Sequence, residues 1–122
     1  MGVTGMGGLF FRAKDPEALT AWYREHFGFG GGDSLWEQQA GPTVFAPFKA
    51  DSDYFAADKA FMINLRVDDL DAMKERLAAA GIEVITDPEW DMDGSYGHFA
   101  RVHDPEGNAI ELWEPPAEMP EG

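Results

Sequence analysis

Few residues of this chain can do chemistry, and one carboxylate stands out among them. In the stretch HDPEGNAIELWEP, residues 103–115, Glu111 lies between Ile110 and Leu112, where a purely structural strand has no use for a charge. A carboxylate placed there can serve as a general base or as a ligand to a cation. Histidine is the common partner in such sites, and the chain has 3, at positions 26, 98 and 103. His26 falls on a predicted helix outside the sheet. His98 and His103 share one predicted strand at an odd spacing, which sends them to opposite faces. The three do not gather around Glu111, and each is expected in a surface or hydrogen-bonded structural role. With Cys 0, disulfides and thiolate metal sites are excluded, which suits a reducing cytoplasm.

The elements that must position these residues come as an internal repeat. LFFRAKDPEALTAWYREHFGF (9–29) is similar to INLRVDDLDAMKERLAAAGIE (63–83), with Phe11-Arg12 over Leu65-Arg66, Asp15 over Asp69 and Ala18 over Ala72. Each copy reads strand, acidic cap, helix, glycine, strand. Asp15 caps the first helix, Pro16 takes its first position, Leu19, Trp22, Tyr23 and Phe27 share a face, and Gly28 supplies the left-handed stop. Asp68 or Asp69 caps the second, Leu70, Met73 and Leu77 form its apolar stripe, and Gly81 ends it. Residues 35–40 and 43–48 around Gly41-Pro42 read as a hairpin, 82–86 as a strand, and 96–103 with 109–114 as a final hairpin closed by Asp104-Pro105-Glu106-Gly107-Asn108. Gly30-Gly31-Gly32 does not open a helix, so it is a flexible or degenerate strand rather than a phosphate loop. Residues 49–59 form a polar loop carrying Tyr54 and Phe55, either a plain surface connection or a lid. Residues 115–122 read as a frayed tail.

The composition sets outer limits. A chain of 122 residues, 44% hydrophobic and 13% aromatic, is one globular domain with a real core. No leader and no membrane-spanning run is expected. Lys+Arg 9 against Asp+Glu 23 gives a net charge of −14, which argues against nucleic acid, since phosphate needs a basic face. That charge serves solubility or, on the sharper reading, favours cationic ligands. Two βαβββ units, about 7–50 and 60–115, are too small to stand singly. Joined edge to edge they give an α+β fold: two tandem modules forming one curved mixed sheet around a cavity, helices outside.

The repeat, the phrase Asp104-Pro105-x-Gly107-Asn108-x-x-Glu111-Leu112 and the phrase Asp15-Pro16-x-x-Leu19-x-x-Trp22-Tyr23-x-x-x-x-Gly28-Phe29 resemble the glyoxalase / bleomycin-resistance / extradiol-dioxygenase group, the vicinal oxygen chelate superfamily. The resemblance covers nearly the whole chain. It implies, for metal-dependent members, ligands on symmetry-related strands, holding an ion that polarises a substrate oxygen or binds dioxygen. Carried over residue by residue, the first ligand position is Gly8 and its repeat mate is Met62, a poor ligand for hard divalent ions. Strand 43–48 offers no carboxylate or imidazole. Only Glu111 matches, and one carboxylate cannot hold a divalent ion where usual sites have three or four protein ligands. No metal and no cofactor is therefore expected.

Alternation then fixes what shares the cavity with Glu111. If positions 8 and 62 face inward, so do Phe10 and Arg12, Asn64 and Arg66. Glu111 takes Ala109 and Trp113 with it, and by resemblance Phe99 and Arg101 face the same space. Trp36 and Gln38 form one same-face set whose side is not fixed. The expected ligand-binding set is thus Phe10, Arg12, Trp36, Met62, Asn64, Arg66, Phe99, Arg101 and Trp113, with Glu111 as the catalytic candidate. This is an apolar pocket with sparse polar groups, the usual recipe for a small-molecule site. Arg12 and Arg66 have a plainer role available, pairing with Asp15 or Asp69, and Arg101 can bridge Glu111 as a buried pair. Three functions follow: a metal-free protein that sequesters an aromatic or antibiotic ligand, as bleomycin-resistance members do; a glyoxalase-like lyase or isomerase, or a dioxygenase-like enzyme, with Glu111 as base; or a structural interaction module. The resemblance also implies a homodimer.

Overall fold

A computed structural model describes residues 2–30 and 35–118. Gly31 and Gly32 of the glycine run, and residues 119–122 of the expected tail, lie outside these. The elements run α1 (Pro16–Phe27), β1 (Ile63–Arg66), α2 (Leu70–Ala79), α3 (Pro88–Asp91), β2 (His98–His103) and β3 (Ala109–Glu114). The sheet is mixed, in the order β1-β3-β2. β1 runs parallel to β3 and β2 antiparallel to it. The architecture is α+β, as the sequence predicts.

Both long helices start and stop where their signals lie. The Asp15 carboxylate accepts from the Ala18 amide at 3.1 Å, and Gly28 closes α1 in the left-handed region at φ 79. Asp69 does the same for α2, accepting from the Ala72 amide at 3.0 Å. Each such cap stabilises its helix by about 1 kcal/mol. Leu19 and Tyr23 of α1 and Leu70 and Leu77 of α2 join Leu65, Ala100, Val102, Ile110 and Leu112 in a single buried cluster. These strand positions alternate with Asn64, Arg101, Glu111 and Trp113, so one sheet face is the core and the other carries the polar residues.

The phrase around Asp104 proves to be a buried hydrogen-bond hub. The Asp104 carboxylate accepts from the Tyr23 hydroxyl at 2.7 Å, the Asn108 side chain at 2.8 Å, and the backbone amides of Glu106 at 2.9 Å and Asn108 at 3.0 Å. Burial first, then Asp104, raises the Tyr23 phenol far above its ordinary value. Next to this hub, Glu106 accepts from the Lys14 and Asp15 amides at 2.7 and 2.9 Å. The last hairpin turn thereby holds the start of α1.

The first half differs from expectation. Among the described residues, neither 9–12 nor 35–48 forms a strand, and 82–86 contributes a single bridge, Ile85 to Arg101. The expected hairpin has no strand pairing among the described residues and leaves Leu35 94% and Phe45 83% exposed, as Phe10 of the earlier segment is at 94%. Strand pairing is non-local, and within one chain these segments reach no hydrogen-bonding edge. The outer edge of β1 is likewise unpaired among the described residues. α3 was not anticipated. It begins at Asp87, whose carboxylate accepts from the Glu89 amide at 2.9 Å, and ends at Met92 with φ 52, a left-handed conformation uncommon outside glycine.

Candidate functional site

The register across the sheet sets Asn64, Glu111 and Arg101 side by side on β1, β3 and β2. Cross-strand neighbours of this kind point to the same face. Glu111 is buried, and both its oxygens are engaged. The Tyr54 hydroxyl donates to Oε2 at 2.5 Å, and the Asn64 amide donates to Oε1 at 2.7 Å. Burial of its ring first, then the Glu111 carboxylate, raise the Tyr54 phenol far above its ordinary value, against a smaller pull from Arg101. Tyr54 is therefore a committed proton donor to Glu111 at neutral pH.

Arg101 does not bridge Glu111. Among the described residues it makes no ion pair with any carboxylate. Its guanidinium carbon lies 4.7 Å from the Tyr54 ring centroid and 4.9 Å from that of Trp90, within cation–π range. One terminal nitrogen contacts the Met62 sulfur at 3.7 Å, while the enclosed Nε has no acceptor. The Tyr54 and Trp90 rings meet edge to face at 6.2 Å. The loop at 49–59 and the helix α3 therefore close over the polar face of the sheet.

The expected site residues divide into groups. Met62, Asn64, Arg101 and Glu111 converge. Phe99 and Trp113 lie one row along, rings parallel at 6.3 Å, with the Trp113 indole donating to the Tyr96 carbonyl at 2.7 Å. Arg66 reaches away from Glu111 and donates to the Gln39 carbonyl at 2.9 Å, passing where a side chain at Gly41 would sit. Trp36 stacks on Phe29 at 4.1 Å. Phe10 and Arg12 are exposed. Neither Arg12 nor Arg66 forms an ion pair with Asp15 or Asp69. Tyr54 and Trp90 belong to the cluster but not to the set expected from alternation and resemblance. Two aromatics in an otherwise polar loop were the available signal for Tyr54; nothing in the sequence singled out Trp90.

The histidines stay apart. His26 packs on Trp22 at 5.0 Å, His103 is exposed, and His98 Nδ1 lies 2.9 Å from Asp91. The hydrogen bond to Asp91 raises the His98 pKa. The residues around Glu111 do not fit the divalent ion that the resemblance implies for metal-dependent relatives. Glu111 is bonded to two neutral donors, and among the described residues no three His, Cys, Asp or Glu side chains come together. A separate cleft of about 400 Å³ opens between α2, α3 and the end of β2, with Asp71, Asp87, Asp91, Glu114, Lys74 and His98 in its wall. Neither Glu111 nor Arg101 lines it, so this cleft and the polar cluster are different places. No helix among the described residues is long and apolar enough to cross a membrane.

Comparison with known proteins bears on this geometry. TnmS3, an antibiotic binding protein from Streptomyces sp. CB03234, is similar in structure with a TM-score of 0.60 and 27% sequence identity, over 95% of this chain and 99% of that one. The oxidase ChaP-H2 matches with a TM-score of 0.46 and 18% identity over 88% of this chain and 90% of its own. No curated protein gives a significant match. The family model described as Glyoxalase/Bleomycin resistance protein/Dioxygenase superfamily matches residues 5–112. The chain belongs to that superfamily.

Proposed function

We propose that this chain is a metal-independent small-molecule-binding protein that takes an aromatic, antibiotic-like ligand on the polar face of its sheet. The observation that carries the reading is the cluster itself. A carboxylate held by Tyr54 and Asn64 lies beside a guanidinium that faces two aromatic rings. Aromatic surface with a few fixed polar groups binds flat organic molecules. The similarity to TnmS3, an antibiotic binding protein, favours the same reading. Metal independence rests on Gly8 and Met62 at the expected ligand positions and on the engagement of both Glu111 oxygens.

The working unit is a homodimer. Phe10, Leu35, Val44 and Phe45 are each more than half exposed, and the outer edge of β1 lacks a neighbour among the described residues. Soluble monomers seldom leave a large apolar surface and a free sheet edge uncovered together. A second copy offers both a sheet edge and an apolar face. In it the tandem modules at about 7–50 and 60–115 form the curved sheet that one chain alone leaves open.

A thermal-shift screen of chelator-dialysed protein with aromatic antibiotics tests the binding reading. A ligand at a hundred times its Kd adds about 2.7 kcal/mol, or roughly 10 °C in Tm for a domain of this size. Absence of any shift across such compounds counts against it. A second reading is a glyoxalase-like lyase or isomerase, or a dioxygenase-like enzyme, with Glu111, a buried carboxylate on the polar face, as base. Turnover of a thiohemiacetal or catechol that collapses in Glu111→Gln is its test.

A further inference from the structure

The least satisfied charge in the cluster is Arg101. Glu111 has a donor for each oxygen, Asn64 is engaged, and Tyr54 donates its one proton. Arg101 has five N–H donors, yet among the described residues its one side-chain hydrogen bond within ordinary geometry goes to a thioether, a weak acceptor, and its Nε–H is enclosed with none. No carboxylate among the described residues comes within ion-pair distance of it, in a chain with 23 Asp and Glu. Its planar face is spent on Tyr54 and Trp90. What remains is a guanidinium with in-plane donors and no direct carboxylate contact among the described residues, beside two rings against which a flat molecule can lie. Both rings come from outside the sheet, Tyr54 from a loop and Trp90 from the four-residue helix α3. They can shift to admit an acceptor to Arg101 without disturbing a strand.

We infer that Arg101 makes this site selective for aromatic ligands that carry an anionic oxygen, such as a carboxylate or an ionised phenol. The inference rests on the polar face being the ligand site. A guanidinium binds a planar anion through two parallel N–H donors, a geometry that an ammonium or a neutral amide does not answer. The net charge of −14 predicts the opposite preference. Distant surface charges are screened over a Debye length of about 8 Å at physiological salt, whereas a contact pair inside the site is not. The local cation decides over the global field.

The test uses three probes with one ring system: 2-naphthoate, 2-naphthamide and 2-naphthylmethylammonium. Each is titrated calorimetrically into the full chain at physiological ionic strength. The expected order is naphthoate tightest and the ammonium weakest, with naphthoate ahead of naphthamide by about tenfold, equal to ~1.4 kcal/mol. In Arg101→Met the naphthoate-to-naphthamide ratio falls to within about twofold, and Arg101→Lys keeps part of it. A tightest-binding ammonium, or a ratio unchanged in Arg101→Met, overturns the inference while leaving ligand binding intact. If none of the three binds, the binding reading falls and takes this inference with it. Should Arg101→Met fail to fold, the order of the three probes on the unaltered chain decides alone.

Discussion

Replacing Tyr54 with Phe removes one oxygen and leaves the ring that Arg101 faces. In the folded chain that oxygen donates to Glu111 at 2.5 Å. Glu111 is 9% exposed, so the lost donor is only partly replaced by water. A hydrogen bond to a charged group contributes about 1.5–3 kcal/mol. Tyr54 is half-buried, which moves the expectation to the lower end, about 1.5 kcal/mol. For a chain of 122 residues that corresponds to a Tm lower by roughly 6 °C. Urea unfolding followed by circular dichroism should show a lower midpoint with an unchanged m-value, since the area buried is the same. A double-mutant cycle with Glu111→Gln isolates the pair and should give a coupling of about 1–2 kcal/mol. Tyr54→Ala should cost more than Tyr54→Phe, because it also removes the ring over Arg101. A Tyr54→Phe protein as stable as the parent, with no coupling to Glu111, refutes the reasoning: residues 49–59 are then a plain surface connection.

Further outcomes follow from other parts of the chain. Leu77 is fully buried, and Leu77→Ala should lower the unfolding free energy by about 2–5 kcal/mol in the same urea assay. Gly97 has φ 101, and a Cβ there would lie 2.1 Å from the Glu114 carbonyl oxygen; Gly97→Ala should break the end of the β2–β3 hairpin, seen as fast amide exchange along 98–103. Tyr23 is buried and its folded pKa is raised above the ordinary 10.0. Its contribution is complete below pH about 10 and is lost as pH rises beyond that, at about 1.4 kcal/mol per pH unit. Alkaline unfolding measured with and without Tyr23→Phe should show the shallower slope in the variant. For His98, Asp91→Asn should bring the NMR titration midpoint down towards 6.5.

Local signals were enough for the parts whose causes are local. Asp15, Pro16 and Gly28 bound α1, Asp69 starts α2, and Asp104 to Asn108 make the final turn, because caps and turns depend on neighbouring residues. Alternation, with the family resemblance to fix which face of each strand is inner, also set Asn64, Arg101 and Glu111 on one face. Tyr54 and Trp90 were beyond that reach. Their places depend on how a loop and a single helical turn fold back over the sheet, and no period in the sequence encodes this. The segments 9–12 and 35–48 carry strand-like patterns yet stay unpaired, because a strand also needs an edge to meet. Arg66 shares the alternation of Asn64 but spends its guanidinium on Gln39. Alternation assigns a face, and only the fold shows what a long side chain on that face can reach.

NMR of the isotopically labelled, chelator-dialysed protein during titration with 2-naphthoate tests the central claim most directly, that the polar face of the sheet is the ligand site. Binding on that face should concentrate the shifts at Tyr54, Asn64, the Trp90 indole, Arg101 and Glu111, without added metal. Shifts concentrated instead at Leu70, Lys74 and His98, in the cleft between α2 and α3, or binding that appears only when a divalent ion is added, would contradict it.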